Sequence, residues 1–308
     1  MTDLRDRFRG VIVGTAVGDA LGRPVEGRRR PRLDYLDDMA ERFSFFPYSD
    51  DTVLTVALAE SLLACDGFDG ADMARRFAEA WRAEPHRGYG RNVTAVFEAV
   101  LQGLPWEEAA SRQFGGGGSY GNGGAMRVAP VALWAFPDLD ETVRLATRTA
   151  RVTHTHPVGV EGAILQAVAV HHALGDNFTA AALFDDLDRI AHTEEFRTRL
   201  KRLAVCVDRD DDECARLHLG HGVAAHTSVL TALFAFLVSA DFEQTVLRAI
   251  GLGGDTDTIA AMAGAVAGAR WGHRSIPAGW SKVENHDRLV ALADRLWERT
   301  LPEGQAPP

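Results

Sequence analysis

Lysine is almost missing from this chain of 308 residues. Lys201 and Lys282 are the only two, and arginine supplies the rest of the 33 basic side chains. Against 43 acidic residues the formal net charge is −10, which excludes sequence-specific nucleic acid and anionic membrane as main partners. Cysteine is equally scarce: Cys65, Cys206 and Cys214 form an odd, scattered set with no zinc-binding spacing, so three structural thiols in a reducing compartment are expected. No apolar run is long enough to cross a bilayer, and residues 1–9 alternate in charge, unlike a signal peptide. A cytoplasmic location follows as the expectation. Strand-type alternation of useful length is absent, as is any repeat of fixed period.

What remains is helical periodicity, and the fold class read from it is all-α. At 46% hydrophobic the chain can bury one large core, and with no evident linker it is read as a single domain over 1–300 with a flexible tail over 301–308. Apolar spacing predicts helices over 4–18 (running into Gly18-Asp19-Ala20-Leu21-Gly22), 51–65, 71–83, 92–102, 107–113, 125–136, 139–151, 158–174, 179–191, 194–207, 214–218, 223–238, 242–250 and 286–299, with Pro130 bending or interrupting its helix. From Ile259 to Ala269 no charged side chain occurs, which predicts a helix buried all round, with Gly264 and Gly268 allowing close approach of other helices.

The chemistry gathers at helix starts. Gly253-Gly254-Asp255-Thr256-Asp257-Thr258 precedes the buried helix, and in an extended lead-in Asp255 and Asp257 would point the same way. One such Asp-Thr is either a helix cap or a functional pair. A second set, Ser49-Asp50-Asp51-Thr52, opens another apolar helix, and four acids meeting in a dry site would repel one another without a cation. All-oxygen donors suit Mg²⁺, Mn²⁺ or Ca²⁺. Glu26 lies in the Pro- and Gly-flanked loop 23–27, where it is either a solvated side chain or a movable acid/base. The run from Phe114 to Gly124 holds seven glycines among eleven residues. Its backbone N–H groups can cradle a phosphate beside the flat faces of Phe114 and Tyr120, or the run is simply a flexible loop; no Gly-Lys-Ser/Thr follows to make it a P-loop. His154 and His156 lack a third zinc ligand and read as loop histidines.

Taken together, these motifs resemble the ADP-ribosylglycohydrolase family, and most closely its ADP-ribosylserine hydrolase branch. The residues that carry the resemblance are Gly18-Asp19 with Glu26, Ser49 to Thr52, Gly118-Ser119-Tyr120-Gly121-Asn122-Gly123-Gly124-Ala125-Met126-Arg127-Val128, Thr153-His154 with Gly162 to Gln166, and Gly253 to Thr258. The resemblance implies a compact orthogonal helical bundle with two Mg²⁺ ions, a role Mn²⁺ can also fill, held by Ser49, Asp50, Asp51, Asp255, Asp257 and Thr258. It implies Phe114 and Tyr120 stacked on adenine, Gly118, Ser119, Tyr120, Gly121 and Asn122 around the pyrophosphate, His154 at the phosphate-ribose end, and Glu26 as acid/base and gate. His156 has no place in the family pattern, and His221 stands where Asn is expected. The implied partner is ADP-ribose on a protein or small-molecule acceptor, and the implied state is a monomer. Two rivals remain: a Mg²⁺ phosphatase with an Asp-x-Asp motif after a β-strand, and an ADP-ribose binder without catalysis.

Overall fold

The computed structural model describes residues 3–36 and 44–301; the tail expected from 301 lies, after Leu301, outside the described residues. The described residues form helices α1 (Leu4–Gly22), α2 (Asp50–Ala64), α3 (Gly70–Ala83), α4 (Arg91–Leu101), α5 (Trp106–Ser111), α6 (Gly123–Met126), α7 (Ala129–Ala135), α8 (Leu139–Arg151), α9 (Pro157–Leu174), α10 (Ala180–Ile190), α11 (Glu194–Arg209), α12 (Asp212–His218), α13 (Ala225–Leu237), α14 (Phe242–Gly251), α15 (Thr256–Trp271) and α16 (His286–Glu298). Among them are only two isolated β-bridges, Phe46 with Val283 and Gly121 with Ala224. The all-α reading therefore holds, and the Asp-x-Asp phosphatase, which needs a preceding strand, loses its footing. Pro130 bends no helix: it sits in the first turn of α7, where its missing N–H costs nothing, and the break falls just before it at Arg127-Val128.

The molecule is built on α1 against α15. Every residue of α15 from Thr256 to Ala269 is buried, and so is every residue of α1 from Asp6 to Gly22 except the half-buried Arg9. Glycines recur every fourth residue along one face of α1, at 10, 14, 18 and 22, and meet α15 in antiparallel register. A Cβ at Gly10 would lie 2.3 Å from the Gly268 carbonyl oxygen, at Gly14 2.4 Å from that of Gly264, at Gly18 2.0 Å from that of Ala260, and at Gly22 2.4 Å from that of Thr256. The two backbones thus touch along their length. This register sets the C-terminal end of α1, with Asp19, beside the N-terminal end of α15, and Thr256 Oγ1 donates to the Gly22 carbonyl at 2.8 Å.

Around this pair one apolar cluster joins α9, α11, α13, α14 and α16, and a second joins α2 to α3, α4, α8 and α9. Buried Glu161 on α9 accepts the backbone N–H groups of His192 and Thr193, satisfying donors at the start of α11. One expectation is overturned. Cys206 on α11 and Cys214 on α12 form a disulfide, with Cα atoms 5.5 Å apart, and only Cys65 is a free thiol. The turn through Asp210, in the left-handed conformation, folds α12 back onto α11 and closes the eight-residue separation, which spacing across two separate helices does not reveal. No described helix is long and apolar enough to cross a membrane.

Candidate active site

The loops before α2 and α15 meet over the end of α1. Asp19, fully buried, is the anchor: its carboxylate accepts from the Ser49 N–H at 2.8 Å, the Thr52 N–H at 3.0 Å and the Thr52 hydroxyl at 2.6 Å. Four bonds to one carboxylate, counting the second Ser49 contact, fix the turn that carries Asp50 and Asp51. Ser49 caps α2, accepting from the Asp51 N–H at 3.2 Å and donating to the Asp51 carboxylate at 2.9 Å. Opposite, Asp255 caps α15 with a backbone that is not extended (φ −81°, ψ 65°), and Asp257 lies within the first turn. The two carboxylates converge as expected, by helix-start geometry rather than by strand alternation.

Oxygens of Asp19, Asp51 and Asp257 lie within 4.8 Å of one another, and so do those of Glu26, Asp255 and Asp257. Asp257 belongs to both groups. Asp50 stands outside them, although it lines the same cavity. Burial is the main cause that pushes these acids up, and mutual repulsion adds to it: Asp257 to about 9, Asp50 to about 7, and Asp51 well above the carboxylate range. Asp51 Oδ1 is buried without a hydrogen-bond partner. An orphaned carboxylate oxygen among oxygen-only donors is what a hard divalent cation satisfies, so the residues present fit one.

Glu26 ends the 3₁₀ turn Arg23–Val25 and is exposed at the cavity. Its loop is clipped rather than loose. The Gly27 N–H donates to the Gly254 carbonyl at 2.7 Å, and the Gly254 N–H to that of Arg28 at 2.8 Å. Both turns need glycine, because Gly253 and Gly254 have φ near +80° and a Cβ on either would collide with the carbonyl oxygens of Arg29 or His221.

A cavity of about 310 Å³ runs from this acid cluster to the glycine loop, lined by Glu26, Ser49, Asp50, Asp51, Asp255, Asp257 and Thr258 at one end and Phe114, Ser119, Tyr120, Gly121, Asn122 and His154 at the other. Two of the residues expected around the pyrophosphate have other neighbours. Gly118 does not line it: a Cβ there would lie 2.3 Å from Thr155 Oγ1 and 2.5 Å from the His156 nitrogen, so Gly118 is where the loop crosses the lead-in to α9. The Asn122 side chain turns from the loop to donate to Asp255 Oδ2 at 2.5 Å, and its N–H is taken by the Val223 carbonyl at 2.9 Å. The rings of Phe114 and Tyr120 are exposed and stacked on each other, centroids 6.1 Å apart at 29°. A third ring between them would need about 7 Å, twice a van der Waals contact, so a flat ligand must open the pair or take an outer face. His156, without an assigned role, packs edge-on against Tyr120 at 5.8 Å and caps α9.

Asp19, Arg127 and the lining segment at Arg87, Gly88, Gly90, Arg91 and Asn92 belong to the site without a role assigned to them from the sequence. For Arg127 a signal existed: a single charge inside the apolar stretch from Ala125 to Ala135. The backbone around Arg87 supports the site, since its carbonyl accepts from the Asp50 N–H at 3.1 Å and its guanidinium pairs with Glu284 at 2.7 Å and 2.8 Å.

This geometry agrees with comparison to known proteins. The sequence model of the family described as ADP-ribosylglycohydrolase matches residues 1–306. ADP-ribosylhydrolase ARH3 of Gallus gallus is 37% identical, covering 95% of this chain and 93% of the relative, and that of Homo sapiens is 37% identical with coverage of 94% and 92%. The ADP-ribosyl-[dinitrogen reductase] glycohydrolase of Rhodospirillum rubrum is 27% identical over 94% of this chain and 97% of its own. A solved structure titled ADP-ribosylglycohydrolase-related protein complex superposes with a TM-score of 0.76 at 28% identity, covering 98% of this chain and 100% of that one. With the family matched over almost its whole length, this chain is an enzyme of the ADP-ribosylglycohydrolase family.

Proposed function

We propose that the protein hydrolyses O-glycosidic ADP-ribose linkages, on serine, an acetyl ester or a second ribose, with two Mg²⁺ ions that Mn²⁺ can replace. The observation that carries this reading is the polarity of one cavity, with stacked aromatics at one end and converging carboxylates at the other. Adenine fits the first end, the pyrophosphate the glycine loop, and the distal ribose the second. The cations would be held by Ser49, Asp50, Asp51, Asp255, Asp257 and Thr258, with Asp257 shared between the two acid groups. When bound they supply Lewis-acid polarisation of oxygen and a more acidic water.

The chain's own residues do the rest. Phe114 and Tyr120 hold the base, and Ser119 and His154 offer polar contacts to the phosphates. Asn122 acts indirectly, fixing the orientation of Asp255. Cleavage at the anomeric carbon passes through an oxocarbenium-like state, and Glu26, facing Asp255 and Asp257 at the mouth, protonates the leaving oxygen or takes a proton from water. The clip between its loop and the Gly253-Gly254 turn favours a carboxylate that moves by side-chain rotation over a gate that swings as a loop. The protein is further taken to be a monomer with one folding unit over 1–300; light scattering on a size-exclusion column tests the oligomeric state. Hydrolysis of ADP-ribosylserine, ADP-ribosylarginine and O-acetyl-ADP-ribose, each with Mg²⁺ and with chelator, tests the activity. Binding of ADP-ribose without turnover of any of the three would leave a binder instead.

A further inference from the structure

Arg127 is 1% exposed, one of the largest fully buried side chains among the described residues. It stacks on Phe77 at 4.4 Å, and that packing alone would be a sufficient role for a neutral side chain of its length. A buried charge is costly unless it is paired, and Arg127 makes a single side-chain hydrogen bond: Nη2 donates to Thr153 Oγ1 at 2.6 Å, while Nε and Nη1 have no partner. The same Thr153 oxygen lies 2.7 Å from His154 Nδ1.

Proton bookkeeping then decides the histidine. Arginine has no acceptor, so Thr153 Oγ1 accepts from it, and the hydroxyl has one hydrogen left to donate. Were His154 Nδ1 also to donate, that hydrogen would be buried with no acceptor, because Thr153 is 1% exposed and its side chain has no other hydrogen-bond partner. The consistent arrangement runs Arg127 to Thr153 to His154 Nδ1, leaving the ring hydrogen on Nε2. That edge of the ring faces the glycine turn: a Cβ at Gly123 would lie 3.1 Å from Nε2, and one at Gly121 3.6 Å. His154 lines the cavity there.

We propose that Arg127 and Thr153 are positioning residues that lock His154 as its Nε2–H tautomer, so that the cavity carries one fixed, neutral donor for an anionic oxygen of the substrate. The ligand part of this inference rests on the function proposed above; the lock itself does not. Burial and the charge of Arg127 push His154 down to about 3, so the ring stays neutral across the working range of pH and only the tautomer remains to be chosen.

The test is nitrogen-15 NMR of the imidazole in the ligand-free protein, alongside calorimetry with ADP-ribose. In the unmutated protein and in Thr153→Ser, Nε2 should show the protonated-type shift and Nδ1 the lone-pair type. Thr153→Val should lose the single tautomer and bind ADP-ribose about three- to tenfold more weakly, the range expected for one compromised hydrogen bond. A proton on Nδ1 in the unmutated protein overturns the proposal, and that result needs no variant to fold. So does a Thr153→Val protein with unchanged tautomer and affinity. If the lock is present but ADP-ribose does not bind, the positioning role stands and the functional reading above is the one that fails.

Discussion

Replacing Asp257 by Asn should make the cation-free protein more stable and remove its response to divalent cation. Asp257 has oxygens within 4.8 Å of those of Asp19 and Asp51 in one group and of those of Glu26 and Asp255 in the other. Burial first, then Asp255, Asp19 and Glu26, holds its carboxyl up at about 9, against an ordinary value of 3.8. A carboxyl raised in the fold contributes stability that is complete below its unfolded value and lost as pH rises through its folded value. Without cation, stability should therefore fall between about pH 4 and pH 9. Each unit is worth about 1.4 kcal/mol, so at neutral pH Asp257 and its neighbours together cost the empty fold on the order of a few kcal/mol. A cation at about 100 times its dissociation constant returns about 2.7 kcal/mol. For a chain of this size that is roughly 5 °C in melting temperature, taking about 2 °C per kcal/mol.

The assay is scanning fluorimetry of both proteins at pH 5.5, 7.5 and 9, in chelator and in Mg²⁺. In chelator the Asp257→Asn protein should melt above the unmutated one, by a margin that widens with pH; taking the difference cancels titration elsewhere in the chain. Mg²⁺ should raise the unmutated protein by roughly 5 °C and leave the variant unmoved. A variant that melts lower in chelator at every pH, or that keeps the full Mg²⁺ shift, refutes the reasoning.

Phe114→Ala or Tyr120→Ala should weaken ADP-ribose binding by about 1–3 kcal/mol, and unchanged affinity in calorimetry would mean that the pair faces no base. Gly18→Ala puts a Cβ 2.0 Å from the Ala260 carbonyl oxygen, with backbone on both sides, and should cost at least the ~1–3 kcal/mol of overpacking in denaturant unfolding; a neutral result would show that α1 and α15 can separate freely. Glu26→Gln should keep most ADP-ribose affinity while turnover falls by roughly 10²–10⁴-fold, and wild-type turnover of a serine-linked substrate would remove the carboxyl from the chemistry.

Both acid-bearing helix starts and the glycine loop were legible in the sequence, because each is a short motif whose meaning depends on its neighbours in the chain. What stayed hidden depends on a partner far away. The α1 glycines at 10, 14, 18 and 22 look like ordinary small residues until α15 is laid across them. Asn122 sits in the glycine loop by sequence but serves Asp255 in space. The Cys206–Cys214 disulfide needs the turn at Asp210, and Gly118 is seen to be a crossing point only once Thr155 and His156 are placed behind it. Arg127 lies within one of these motifs, yet its burial, its bond to Thr153 and the consequence for His154 are visible only in three dimensions.

The glycine-lined contact and the acid cluster are one device. Carboxylates that repel one another, in a site too dry to screen them, would relax apart if their supports could slide. Here the supports cannot. Asp257 stands on the first turn of α15, and α15 is fixed against α1 by contacts between backbones, which have no side-chain rotamers to give way. Asp19, on the last turns of that same α1, grips the start of α2 through four hydrogen bonds and thereby fixes Asp51 opposite Asp257. The separation of the two acid-bearing turns is thus set by the register of two helices, each of more than four turns, not by the loops that carry the acids. It follows that a substitution far from the cavity, such as Gly10→Ala at the other end of α1, where a Cβ would lie 2.3 Å from the Gly268 oxygen, should weaken cation binding as well as stability, whereas an equally destabilising change in the second apolar cluster, such as Phe97→Ala on α4, should lower stability while leaving the cation affinity of the folded protein unchanged. Equal losses of affinity in the two variants, measured by calorimetry below their melting temperatures, would show that the helix pair carries no special geometric burden.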